Sequence, residues 1–84
     1  MELLVFSSDT CGPCRALKNS ISDNSLDIPY RIVDVTQQPD LARKYRISSL
    51  PTLVVVNIDG DPQAIHRGAL PVMTLNDWIR EVVA

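Results

Sequence analysis

Cys11-Gly12-Pro13-Cys14 holds both cysteines of the chain, and its setting constrains everything around it. An apolar run, Leu3-Leu4-Val5-Phe6, comes before it, separated by a polar break, Ser7-Ser8-Asp9-Thr10. Short, apolar and followed by polar breakers, the run reads as a buried strand. After the cysteines the period changes. Cys14, Leu17 and Ile21 fall at i, i+3 and i+7 on one helical face, with Arg15, Lys18 and Asn19 largely off it and solvated. Asp9 and Thr10 are the candidate N-caps of this helix. Pro13 fits its first turn, where a missing N–H is no loss. Two thiols three positions apart at the mouth of a helix are placed to form and break a disulfide.

Ser22-Asp23-Asn24-Ser25 ends the helix, and residues 30–35 read as a second strand, with Ile32 predicting that it is well buried. Strand, helix, strand at this spacing implies a parallel pair joined by a right-handed crossover. Thr36-Gln37-Gln38 makes a turn, and Pro39 opens a short helix containing Leu41, Ala42 and Tyr45. A linker, residues 46–51, leads into Thr52-Leu53-Val54-Val55-Val56, the strongest strand signal in the chain. Ile58-Asp59-Gly60-Asp61 carries hairpin turn chemistry, so residues 63–67 return as a polar edge strand that Gly68 breaks. Thr74 and Asp77 resemble a capping box with Asp in place of Glu. Leu75, Trp78, Ile79 and Val82 then repeat at helical spacing. The order β-α-β-α-β-β-α predicts an α/β fold with a mixed four-stranded sheet flanked by helices, in one domain over residues 1–84.

A net charge of −2 gives no electrostatic case for nucleic acid or an anionic membrane. The N-terminus lacks a basic segment, and its apolar run is too short for a signal peptide or a membrane span. A cytoplasmic, reducing setting is therefore expected, where cysteines do not serve as structural staples. A loop closed over so few residues would also constrain the unfolded chain very little. A zinc site would need two further ligands, and His66 is the sole histidine, so no metal is expected.

A free thiol with a pKa of about 8.5 is only about 3% thiolate at pH 7. Lowering the pKa to about 7 raises the attacking species roughly fifteenfold and requires about 2 kcal/mol. A helix N-terminus supplies up to about that much in a partly buried geometry, and the unpaired N–H groups of the first turn add hydrogen bonds to sulfur. Cys11 sits where this help is greatest; Cys14, one turn in, faces the core. Cys11 is thus the expected nucleophile, forming a mixed disulfide with a substrate, and Cys14 the resolving thiol that attacks Cys11 and frees the reduced substrate. Gly12 lets another chain come close. Pro13 stiffens the turn, which favours the reduced dithiol and a net reductant.

Four segments, in order, resemble the thioredoxin family: Cys11-Gly12-Pro13-Cys14; Asp34-Val35 with Pro39-Asp40-Leu41-Ala42 and Tyr45-Arg46-Ile47; Ser49-Leu50-Pro51-Thr52-Leu53; and Gly60 with Gly68. The resemblance spans residues 3–84 and implies a minimal, glutaredoxin-sized thioredoxin fold, without the family's usual first strand and helix. It implies a cis Pro51 against the dithiol, keeping metals off it, and a Leu50 backbone that pairs with an extended substrate segment. Gly12, Pro13, Ser49, Leu50, Pro51, Gly68 and Ala69 would form the substrate-binding surface. The family's tryptophan before the first cysteine is Thr10 here, its buried aspartate is Val5, and the accompanying lysine is Ile32. Losing both ions together leaves neither unpaired, but it removes the usual proton acceptor for Cys14. Slower resolution, or an altered pH dependence, is expected.

By the same resemblance the chain is a monomeric protein-disulfide reductase with no bound cofactor, only the redox-active Cys11–Cys14 disulfide. Its partners would be disulfide-containing proteins, ribonucleotide reductase among them. Electrons would come from NADPH through the flavoprotein thioredoxin reductase, or from glutathione. A glutaredoxin-like, glutathione-dependent oxidoreductase is the alternative, although Gly68 is followed by Ala69-Leu70-Pro71 rather than a second glycine. A non-catalytic binding module is a third. Elsewhere, Trp78, Tyr30 and Tyr45 read as packing residues, His66 as an exposed edge-strand residue, and Met73 as filler near a helix start. Arg15 and Lys18 are available to aid thiolate formation or reductase docking, while the charge of Asp9 would oppose the fall in pKa of Cys11.

Overall fold

The computed structural model describes all 84 residues. In chain order they form β1 (Glu2–Ser7), α1 (Gly12–Asp23), β2 (Tyr30–Asp34), α2 (Pro39–Lys44), β3 (Thr52–Val56), β4 (Pro62–Arg67) and α3 (Val72–Val83). The strands make one four-stranded sheet in the order β2-β1-β3-β4. β1 runs parallel to β2 and antiparallel to β3, and β4 returns antiparallel to β3. The expected element order and mixed sheet are both present.

β1 and β3 are the inner strands because both are apolar on both faces. Leu3, Val5, Leu53 and Val55 point to one side, where Leu17 and Ile21 of α1 and Leu75 and Ile79 of α3 close over them. Leu4, Phe6, Val54 and Val56 point to the other, joined by Val33 of β2 and by Tyr45. Leu41, Ile47 and Leu50 complete this second layer from α2 and the linker behind it. Phe6 and Tyr45 meet with ring centroids 5.8 Å apart, and the Tyr45 hydroxyl donates to the Gly60 carbonyl, tying the end of α2 to the β3–β4 turn. Gly60 holds that turn at φ +82°, a conformation glycine adopts without steric cost.

Four local expectations are corrected. β2 is an edge strand, not a well-buried one: Tyr30 and Arg31 are exposed, Ile32 is half-buried and only Val33 is fully covered. Tyr30, 41% exposed, is not a packing residue; it lines an open surface cleft with Ile21 and Ser22 of α1. Tyr45 caps α2 rather than lying inside it. α3 begins at Val72, so Thr74 lies within its first turn; the residue before the helix is Pro71, with no side-chain cap, and the Pro71 carbonyl accepts the Leu75 N–H at 2.8 Å.

The positions of the family's buried ions face one another as expected. Val5 and Ile32 are register partners across β1 and β2, and both pack in the cluster beneath α1 and α3. Restoring one ion alone strands it there. Val5→Asp should lower the unfolding free energy by about 3–5 kcal/mol, read from urea denaturation, with much of the loss recovered near pH 4, where the carboxyl is neutral.

Candidate active site

Strand register gathers the loops of interest at one end of the sheet. Phe6 pairs with Thr52 and Thr52 with Arg67, so the end of β1, the start of β3 and the end of β4 lie side by side. Ser7 pairs with Asp34, which adds the end of β2. The turn carrying Cys11, the Ser48–Pro51 linker and the Gly68–Pro71 loop therefore share one edge. The Leu50–Pro51 bond is cis, and the Gly68 N–H donates to the Pro51 carbonyl at 2.8 Å. The Thr52 hydroxyl donates to the Ser49 carbonyl at 2.7 Å. Pro51 is buried, Leu50 and Gly68 are half-buried, and Ser49, Ala69, Gly12 and Pro13 are exposed.

At the mouth of α1 the cap is Cys11 itself, not Asp9 or Thr10. Cys11 is extended (φ −94°, ψ 108°), and its Sγ accepts the Cys14 N–H at 3.2 Å. Asp9 and Thr10 fall two residues and one residue too early, in a tight turn closed by the Cys11 N–H on the Ser8 carbonyl at 3.3 Å. The helix begins at Gly12, and a cap acts from the residue immediately before. A thiol is a weak acceptor and a thiolate a strong one, so this cap gains strength when Cys11 ionises. The two cysteines are joined as a disulfide with their Cα atoms 5.2 Å apart. Cys14 is fully buried, whereas Cys11 is only half-buried. An incoming sulfur thus reaches Cys11 first.

The Leu50 N–H and C=O make no hydrogen bond within the chain, although the carbonyls of Ser49 and Pro51 on either side do. Beside Leu50 lies a recess of about 230 Å³ lined by Val35, Ala42, Ile47, Ser48, Ser49 and Leu50. Val35, Ala42 and Ile47 enter the sequence reading as motif residues and Ser48 as part of a linker, none of them as site residues. They meet at the recess only once α2 and the linker pack beside the sheet.

Two polar residues also sit differently from expectation, and Asp34 acquires a role in its own turn. His66 is half-buried rather than exposed, its ring 6.0 Å from that of Trp78. Lys18 is half-buried rather than solvated. Asp34 closes an Asx turn in which its Oδ1 accepts the Thr36 N–H at 2.9 Å and the Thr36 hydroxyl at 2.6 Å. Those bonds, the side-chain one foremost, hold the Asp34 carboxyl below the usual value, with the Lys18 charge assisting.

Family comparison agrees with this geometry. The thioredoxin family model matches residues 1–81. The chain belongs to the thioredoxin family. It is 34% identical over 82 residues to putative thioredoxin 2 of Streptomyces coelicolor, covering 92% of this chain and 59% of that one; with thioredoxin of Griffithsia pacifica the identity is 34% over 83 residues, covering 94% of this chain and 75% of that one. Thioredoxin-2 of Pyricularia oryzae is 39% identical over 72 residues, 82% of this chain but 42% of that protein. The chain spans about half the length of several curated thioredoxins it matches, 45% in the case of an Arabidopsis thaliana member. Among solved structures, a mutant thioredoxin from Halobacterium salinarum superposes with a TM-score of 0.86 at 28% identity, covering 99% of this chain and 74% of that one.

Asp34 supplies a test of the thioredoxin site's local electrostatics. With its folded pKa depressed, it contributes stability above the unfolded carboxyl value near 3.9, and that contribution is lost as pH falls through the lower folded value. Thr36→Ala should move the Asp34 carboxyl titration, followed by NMR, up toward the ordinary value and shrink this acid-side contribution.

Proposed function

We propose that this chain is a thiol-disulfide oxidoreductase that reduces protein disulfides, with Cys11 as nucleophile and Cys14 as resolving thiol. The observation that carries the reading is the asymmetry of the pair: a half-buried Cys11 sulfur accepting a first-turn N–H, next to a fully buried Cys14. The thiolate of Cys11 attacks one sulfur of the substrate disulfide. The other substrate sulfur leaves with the electron pair and takes a proton. Cys14, once deprotonated, attacks the Cys11 sulfur, closing the intramolecular disulfide and expelling the second substrate sulfur as a thiolate. Two electrons pass from the dithiol to the substrate, and no bound cofactor is required.

Substrate docking falls to Gly12, Pro13, Ser49, Leu50, Pro51, Gly68 and Ala69. Support comes from the unpaired N–H and C=O of Leu50, which offer both halves of a strand-type pairing to an extended segment. The apolar recess beside Leu50 suits a side chain of that segment. Electrons returning the disulfide to the dithiol would come from NADPH through a flavoprotein thioredoxin reductase, in the cytoplasm, with ribonucleotide reductase one of the disulfide partners served.

Insulin reduction in the presence of thioredoxin reductase and NADPH tests the activity and the electron source together. Turnover there, and none with glutathione and glutathione reductase, is the expected result; the reverse would make the chain glutaredoxin-like. Cys11→Ser should abolish turnover, and retention of full function would make the fold a binding module. Cys14→Ser should accumulate mixed disulfides on Cys11, visible by non-reducing electrophoresis; if none forms, the roles of the two cysteines are reversed.

A further inference from the structure

Cys14 must shed its proton to resolve the mixed disulfide, yet the positions of the family's buried ions hold no acid, with Val5 and Ile32 facing each other in an apolar cluster. What the structure offers instead lies on α1. Lys18 follows Cys14 by four residues, one turn further along α1, where side chains at i and i+4 are neighbours. A helical side chain leans back toward the N-terminus, a direction that points that of Lys18 toward the turn holding Cys14. Lys18 is half-buried, while Arg15 and Asn19 beside it in sequence are exposed. It flanks the buried stripe of Cys14, Leu17 and Ile21 on the side that also carries Cys11, seven residues before it.

β2 carries one acid on this side of the sheet. Ile32 packs beneath α1, so by alternation Asp34 shares its side of the sheet, in the last paired row before the Cys11 turn. The Lys18 charge helps to hold the Asp34 carboxyl low, behind the Thr36 hydrogen bonds. The Asp34 Oδ1 accepts two hydrogen bonds from Thr36, which hold the carboxylate in its own turn.

We propose that Lys18 is the positioning charge for Cys14 in this chain, stabilising the Cys14 thiolate in place of the acid that the thioredoxin family buries beneath it. The proton leaves Cys14 for water or buffer. The Cys14 sulfur forms its bond to Cys11 as the bond from Cys11 to the substrate sulfur breaks, and that sulfur departs as a thiolate. The other charged groups at this end are few. Asp9 is exposed ahead of Cys11, and Arg15 donates to the Asp9 carbonyl at 3.3 Å. Arg67 ends β4 on the opposite face, in the row of Thr52 and Phe6. His66 shares the face of Val5 but lies two strands from it, against Trp78. β3 carries no charged residue at all.

The inference rests on the roles proposed for Cys11 and Cys14, and one experiment separates the two. The reduced protein is mixed with excess dithiobis-nitrobenzoate in a stopped-flow instrument, and thionitrobenzoate release is followed across pH. The first phase reports attack by Cys11 and the second reports displacement by Cys14. Lys18→Gln should slow the second phase about three- to tenfold at pH 7 and shift its pH profile upward by about half to one unit, slowing it more than the first. Lys18→Arg should restore both. Asp34→Asn, which leaves the ammonium in place, should not slow the second phase. An unchanged second phase in Lys18→Gln overturns the inference alone, as does a loss in Asp34→Asn equal to that in Lys18→Gln, which would make the carboxylate the base. Absence of a second phase in the unaltered chain overturns the roles of the cysteines as well.

Discussion

The hydrogen bond from the Cys14 N–H to the Cys11 sulfur is the contact on which the rest of the site depends. It makes one cysteine the cap of the helix that carries the other, so helix geometry and thiol chemistry share an atom pair. A first-turn N–H has no partner within its own helix, and here it is spent on sulfur. The interaction grows stronger as the sulfur takes up charge. The helix thus favours ionisation of the residue that starts it, while the buried stripe that follows holds Cys14 away from solvent.

That contact needs a rigid floor, which β1 provides. β1 is hydrogen-bonded on both edges and covered on both faces, with residues 3–7 all buried. Its partnership with β3 brings the cis Leu50–Pro51 bond to the same end of the sheet as the cysteines, and β4 adds Gly68 through its N–H to the Pro51 carbonyl. No single segment holds the site. Replacing the family's ion pair with Val5 and Ile32 keeps this floor dry at the sheet's centre. It also moves any charge that assists Cys14 out to the flank of α1.

Much of the fold was legible because its signals are local. The apolar runs of β1 and β3, the 3.6-residue periodicity of α1 and α3, and the Asp59-Gly60 turn each declare themselves within a dozen residues, and each is present. The failures have a common cause. β2 reads as buried because Ile32 and Val33 are apolar, but its place at the sheet edge leaves Tyr30 and Arg31 uncovered. Asp9, Thr10 and Thr74 are good caps by residue type, yet the helices begin at Gly12 and Val72, and a cap acts only from the adjoining position. His66 reads as solvated because its ring meets that of Trp78, far away along the chain.

The sequence by itself determined the dithiol, its place at a helix mouth and the exposure order of its two sulfurs, since spacing and periodicity are properties of neighbouring residues. The tertiary structure alone decided that Cys11 is the cap, that Leu50 keeps both backbone groups free beside an apolar recess, and that Lys18 is half-buried. Those features depend on strand register and helix placement, which bring together residues that no local pattern connects.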